Sequence, residues 1–235
     1  MRTISIILLI IISYTAKTQN LRKEYFKHLV FRETPYSFTK GRIPISVERS
    51  KVENHYQLSY NSNNQLVLIE YRFRSVLINR NRAGIMDGFR NIATKTKIEY
   101  QDEKEIRTFY DENDIQCANP MNIYKEVYKY NKKGERTSVK FYDKDGKLTN
   151  NSWRIAEYNW TIFTDNSIIE KRKNTAGVYV TMRPYYKFMT TLYKYKNDGI
   201  LISMNHIDES NNLIDDESGV AIDKAEYDSD FNLTG

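Results

Sequence analysis

Short stretches of alternating apolar and charged residues run along this chain, cut at regular intervals by small polar clusters. In Ser138-Val139-Lys140-Phe141 and Tyr124-Lys-Glu-Val-Tyr-Lys-Tyr130 the two kinds of side chain swap faces residue by residue. That is the period of a half-buried β-strand. Six places repeat one unit: an aromatic, a polar turn, then hydrophobic positions. They are Tyr60-Asn-Ser-Asn-Asn-Gln-Leu66, Tyr100-Gln-Asp-Glu-Lys-Glu-Ile106, Tyr130-Asn-Lys-Lys-Gly134, Phe163-Thr-Asp-Asn-Ser-Ile168, Tyr195-Lys-Asn-Asp-Gly199-Ile200-Leu201 and Tyr227-Asp-Ser-Asp-Phe-Asn-Leu233. Their aromatics stand 40, 30, 33, 32 and 32 residues apart, a near-constant spacing that marks an internal repeat.

A second turn follows the first in several units. The clearest is Phe141-Tyr142-Asp143-Lys144-Asp145-Gly146-Lys147-Leu148, with Ile207-Asp208-Glu209-Ser210-Asn211-Asn212-Leu213 and Tyr110-Asp111-Glu112-Asn113-Asp114-Ile115 beside it. Asn211 stands where Gly146 stands, because both tolerate the left-handed backbone of tight turns, and Asp bonds its own backbone nearby. The pattern predicts a mainly β fold: an antiparallel β-hairpin repeat array over residues 56–235. One extended twisted sheet and a partly closed barrel both fit. Two stretches predict short helices. From Asn20 to Glu33, Leu21, Tyr25 and Leu29 recur at helical spacing, so residues 20–55 read as a helix and a lead-in strand. Ala83 to Ala93 places Ile85, Met86, Phe89 and Ile92 similarly, as an insert covering one end of the sheet.

Composition reinforces the β reading: nineteen tyrosines stand against nine glycines and four prolines, and tyrosine favours pleated, half-buried surfaces. Met1-Arg2-Thr3, the apolar run Ile4–Ile12 and the small residues of Ser13-Tyr14-Thr15-Ala16 follow the order of a secretory signal peptide over residues 1–19. The run is about half of a membrane-spanning length, and no later stretch is long enough to span. Export is therefore expected, to a periplasmic, outer-surface or secreted location. Removing residues 1–19 takes away Arg2 and Lys17 and no acids, leaving 34 bases against 30 acids. Cys117 is the only cysteine, so no intramolecular disulfide forms and the fold relies on its core and ladders.

Charge and aromatic clusters supply the candidate chemistry. The stretch Tyr71–Lys97 holds seven basic residues, Arg72, Arg74, Arg80 and Arg82 among them, against Asp87 alone. Arg72 and Arg74 flank Phe73, so a strand would point both one way. They are candidates for an anionic partner, or a solvated strand face. Residues 200–235 carry nine acids and one base, opposing the basic remainder and giving a basis for head-to-tail self-association. Trp153, Tyr158 and Trp160 would suit stacking on sugar rings if exposed, though core packing is the commoner fate of such residues. Asp143, Asp145 and Asp215-Asp216-Glu217 offer oxygen ligands, but they lack the spacing of a calcium loop, and no metal or cofactor is expected. His28, His55 and His206 are isolated, and no nucleophile or phosphate-loop motif occurs. No catalytic residue is assigned, and nucleic acid is not an expected partner.

Tyr128-Lys-Tyr130-Asn-Lys-Lys-Gly134 and Tyr193-Lys-Tyr195-Lys-Asn-Asp-Gly199 resemble the YD repeats of Rhs-type bacterial surface and toxin-shell proteins. Tyr142-Asp-Lys-Asp-Gly146-Lys-Leu148 is similar to a turn unit common in exported proteins of Bacteroidota. The likeness covers about residues 56–235 and implies a β-rich bacterial envelope or extracellular protein, with no reaction. Two functional classes follow as expectations. One is a non-catalytic binding or structural protein with a protein or polysaccharide partner. The other is an envelope-directed hydrolase whose carboxylates, such as Asp111 and Glu170, only the fold would bring together.

Overall fold

The computed structural model describes residues 21–30, 32–79, 93–182, 188–229 and 234. These form one antiparallel sheet of fifteen strands. In chain order they are β1 (Arg22–Leu29), β2 (Gly41–Pro44), β3 (Asn54–Tyr60), β4 (Leu66–Phe73), β5 (Val76–Leu77), β6 (Lys95–Gln101), β7 (Lys104–Tyr110) and β8 (Lys125–Tyr130). There follow β9 (Arg136–Tyr142), β10 (Glu157–Ile162), β11 (Ser167–Lys173), β12 (Tyr179–Val180), β13 (Thr190–Tyr195), β14 (Leu201–Ile207) and β15 (Ile222–Lys224). Neighbours run β15-β14-β13-β11-β10-β9-β8-β7-β6-β4-β3-β1-β2, with β12 added to β11 and β5 to β4. The end strands β15 and β2 each pair on one side only, so the sheet is open. The expected signal segment and most of the 83–93 insert lie outside the described residues, as does most of the sixth repeat, Tyr227–Leu233.

The first turns of the other five repeats close the hairpins β3–β4, β6–β7, β8–β9, β10–β11 and β13–β14. The three second turns are there too, each sealed by a single bridge: Tyr110 to Gln116, Tyr142 to Leu148, Ile207 to Leu213. The structure adds a third turn, at Asn119, Asn151 and Asp216. Among the described residues nine loops share one geometry, headed by Asn61, Asp111, Asn119, Asn131, Asp143, Asn151, Asn174, Asp208 and Asp216. In each, the heading side chain's Oδ1 accepts the backbone N–H groups two and four residues on. The fourth residue of each loop adopts φ between 59° and 79°, which is why Gly, Asn or Asp fills it in all but the Arg154 loop.

The N-terminal helix is not formed. Residues Arg22–Leu29 are instead strand β1, bonded to β3 on one side and β2 on the other. A spacing of four puts Leu21, Tyr25 and Leu29 on one helix face, but four is also even, so they share one strand face equally well. Two open ladders then decide for the strand. The helix that does form, α1 (Val47–Ser50), is a single turn capped by Ser46, whose Oγ accepts the Arg49 N–H.

Between β1 and β2 the chain crosses the inner face of the sheet as a strap, described over residues 32–40. Ser37 lies 3.3 Å from the Tyr195 hydroxyl of β13, nine strand steps from β1. A flat sheet would put about 43 Å between those strands. Eight residues of chain from Leu29 span at most about 28 Å. The sheet therefore curls into an open trough around the strap. Along the trough floor lie Tyr128, Tyr158, Trp160, Tyr193 and Tyr195, in one cluster with Phe109, Ile123, Val139, Phe141 and Ile155. A smaller cluster, Tyr56, Leu58, Ile69 and Ile98, fills the β3–β6 end.

Candidate binding surfaces

Charge is sorted by face. On β4, β7 and β11 the same short unit, Glu-x-Arg, recurs as Glu70/Arg72, Glu105/Arg107 and Glu170/Arg172. Cross-strand register turns Glu105/Arg107 and Glu170/Arg172 to the inner face with Tyr128 and Trp160, whereas Glu70/Arg72 lie on the outer face, Glu70 in register with Lys95. Glu105 accepts from Arg107 Nε at 2.5 Å, from Arg136 Nη2 at 2.8 Å and from the Tyr130 hydroxyl. Arg136 donates its other terminal nitrogen to the carbonyls of Pro35, Tyr36 and Ser37, at 3.3, 3.0 and 3.3 Å. Glu170 accepts from Arg172 Nε at 2.8 Å, Trp160 Nε1 at 2.8 Å and the Thr34 hydroxyl of the strap. Burial opposes ionisation of Glu105, but the Arg107 and Arg136 charges outweigh it and hold its carboxyl well below the usual carboxylate range. Burial likewise opposes the Arg107 and Arg136 charges, and Glu105 more than restores them.

This floor shows what buried tyrosines supply. A ring here buries its apolar body while the hydroxyl reaches a polar partner: Tyr128 donates to Glu126 Oε2 at 3.0 Å, and Tyr195 pairs with Ser37 Oγ at 3.3 Å. Burial pushes the Tyr158, Tyr193 and Tyr195 hydroxyls well up, so they serve as neutral hydrogen-bonding groups. The carboxylates here are sealed: Glu105 and Glu170 are 1% and 0% exposed. Asp111 is occupied in its turn, accepting from Asn113 and Ile115. It and Glu170 thus serve different elements, each engaged in its own hydrogen bonds.

The outer face is lysine-rich. Cross-strand register aligns Lys97-Thr108-Lys125-Tyr142, then Glu99-Ile106-Val127-Lys140-Glu157-Lys173, then Gln101-Lys104-Lys129-Ser138-Asn159-Lys171-Thr190. These rows hold seven lysines and two acids. Lys97 pairs with Asp114 at 3.3 Å and Lys140 with Glu157 at 3.5 Å. Among the described residues, no carboxylate lies within ion-pair distance of Lys104, Lys125, Lys129, Lys171 or Lys173. Arg107, Arg136 and Arg172 inside and the lysines outside follow from chemistry: guanidinium forks suit buried carboxylates, whereas the ammonium is strongly hydrated.

Arg72 and Arg74 of the basic stretch picked out in the sequence do not sit together on one strand. Arg72 is drawn to Glu70 Oε1 at 2.9 Å. β4 ends at Phe73, and Arg74 sits in the following turn at φ 57°, over the Phe73 ring. The strand assumption behind that pairing fails at the turn. Arg80 and Arg82 lie outside the described residues. Tyr158 and Trp160 are core residues, 1% and 6% exposed, and half-buried Trp153 packs against the same core. They offer no stacking surface, because alternation turns Tyr158 and Trp160 inward. Asp143 spends its Oδ1 on the backbone N–H groups of Asp145 and Lys147. Among the described residues no cluster of three or more metal-ligating side chains occurs, and no helix is long and apolar enough to cross a membrane. The Glu-x-Arg unit escaped sequence reading although it recurs on the second strand of three hairpins; that recurrence was the available signal.

One cavity of about 250 Å³ opens where the strap residues Tyr36–Phe38 meet the hairpin turns of β8–β9, β10–β11 and β13–β14. Its lining holds a single carboxylate, Glu135. No family model and no curated protein matches this sequence.

Proposed function

We propose that this chain is an exported, non-catalytic binding protein of the cell envelope or extracellular space, whose outer sheet face holds an acidic polysaccharide. The observation that carries this reading is the sorting of charge: the inner arginines Arg107, Arg136 and Arg172 are matched by glutamates, while five outer lysines have no carboxylate within ion-pair distance among the described residues. Unmatched like charges on one surface raise the local potential and attract polyanions. Ring faces of Tyr142 and Tyr179 lie beneath Lys125 and Lys173, at 4.9 and 5.0 Å, and hold those ammonium groups over the sheet. The secretory pattern at residues 1–19 and the likeness to exported repeat proteins support the location and the choice of a polysaccharide.

Retention on immobilised polygalacturonate, with dextran as the neutral control, tests the reading. Binding is expected to weaken from low to high salt, since exposed charges are screened within about 8–10 Å at 0.1–0.15 M. The triple variant Lys104→Gln/Lys129→Gln/Lys171→Gln should lose at least about ten-fold in affinity. Equal retention on dextran, an unaffected triple variant, or tighter binding to single-stranded DNA would each overturn it.

A further inference from the structure

The cavity at the turn rim is a different kind of site from the lysine face and does not depend on it. Two aromatic rings are left open there: Phe38 and Phe163 are 48% and 44% exposed. Exposed aromatic rings gathered at a concavity mark a binding site more often than a surface accident. Behind them the wall is packed. Tyr36 packs against Trp160 and Tyr195 with ring centroids 5.3 and 5.5 Å apart, and the Arg136 guanidinium backs Phe38 at 4.0 Å. Polar groups share the lining. Asn166 Nδ2 donates to Asn197 Oδ1 at 2.7 Å, which leaves the Asn166 Oδ1 acceptor and the Asn197 Nδ2 donors for a ligand. Glu135 takes the Asn131 amide on Oε2 at 2.7 Å and keeps its second oxygen. Lys196 offsets its charge on the same rim.

We infer that this cavity binds one uncharged sugar ring. Its volume of about 250 Å³ falls just below the roughly 300–1,000 Å³ of sites for drug-sized ligands, so it suits a single ring. The aromatic wall matches the apolar face of a pyranose. The amide pair and the carboxylate match its hydroxyls, which both donate and accept. An apolar peptide side chain would bury those polar groups unpaired, at a cost. The balanced rim selects against a charged ligand.

Trp160 touches the cavity wall through Tyr36, so its fluorescence reports occupancy. The full chain is titrated with the methyl glycosides of glucose, galactose, mannose and N-acetylglucosamine, and with N-acetyl-leucine amide. A saturable change with at least one glycoside is expected. Phe163→Ala, at an exposed position that leaves the core intact, should weaken it about ten-fold. Asn197→Ala should weaken it as well. No saturable response to any glycoside, a response unchanged in both variants, or saturation by the leucine amide alone would overturn the inference.

Discussion

Replacing Glu105 by Gln tests whether the trough floor is as dry as its geometry implies. The substitution keeps shape and removes one charge. Arg107 and Arg136, whose side chains are 5% and 1% exposed, then lose the carboxylate they share. Arg136 retains three strap carbonyls, which are dipoles and do not neutralise it. Removing one partner of a buried ion pair typically costs about 3–5 kcal/mol, because the remaining charge stays buried. Urea unfolding followed by tryptophan fluorescence reads the loss directly: with a slope near 2 kcal/mol/M, about 4 kcal/mol lowers the midpoint by about 2 M. The same variant carries a pH signature. A carboxyl lowered in the folded state binds fewer protons folded than unfolded. Its contribution is therefore complete above the unfolded value of about 4.3 and is lost as pH falls below that toward the folded value. Wild-type stability should drop as pH falls from about 5 to 3, and Glu105→Gln should drop less steeply. A loss under about 1 kcal/mol at pH 7, with parallel pH profiles, would mean that water reaches these charges and the sealed-floor reading is wrong.

Other residues make sharper local tests. Asn151→Ala strips acceptors from the Trp153 and Ile155 N–H groups in a buried loop and should cost about 2 kcal/mol or more, whereas Asp143→Ala, where water can replace the side chain, should cost about 1 or less. Thermal unfolding that ranked them the other way would refute this. Gly146→Ala meets nothing within 4 Å and should cost only the left-handed backbone term, about 1–2 kcal/mol. Gly41→Ala should cost more, since its Cβ would run into the Phe26 ring, and a milder effect than Gly146→Ala would be fatal to the argument. Burial, then the Asp111 and Glu112 charges, raise the Cys117 thiol. It should alkylate with iodoacetamide more slowly than free cysteine at pH 7; an equal or faster rate would count against that environment.

Local chemistry set much of this protein. Asn or Asp at the head of a loop and Gly or Asn at its fourth position encode the turn by themselves, through a side chain bonding two nearby N–H groups and a backbone that tolerates positive φ. Such turns, at near-constant spacing between alternating stretches, sufficed for a hairpin array, because every interaction involved spans a few residues. What alternation could not settle was the identity of each face. Tyr158 and Trp160 could have stacked on a ligand, and Arg72 and Arg74 could have shared a surface. Only the curl of the sheet around the strap assigned the inside, burying Tyr158 and Trp160 beside Glu170 and leaving Arg72 on the outer face, paired with Glu70. The spacing of Leu21, Tyr25 and Leu29 satisfies helix and strand alike, so the ladders of β2 and β3 chose. The buried Glu-x-Arg floor and the rim cavity were hidden for the same reason. Thr34 and Glu170, or Phe38 and Phe163, lie more than a hundred residues apart in the chain, and a trough decides their contact.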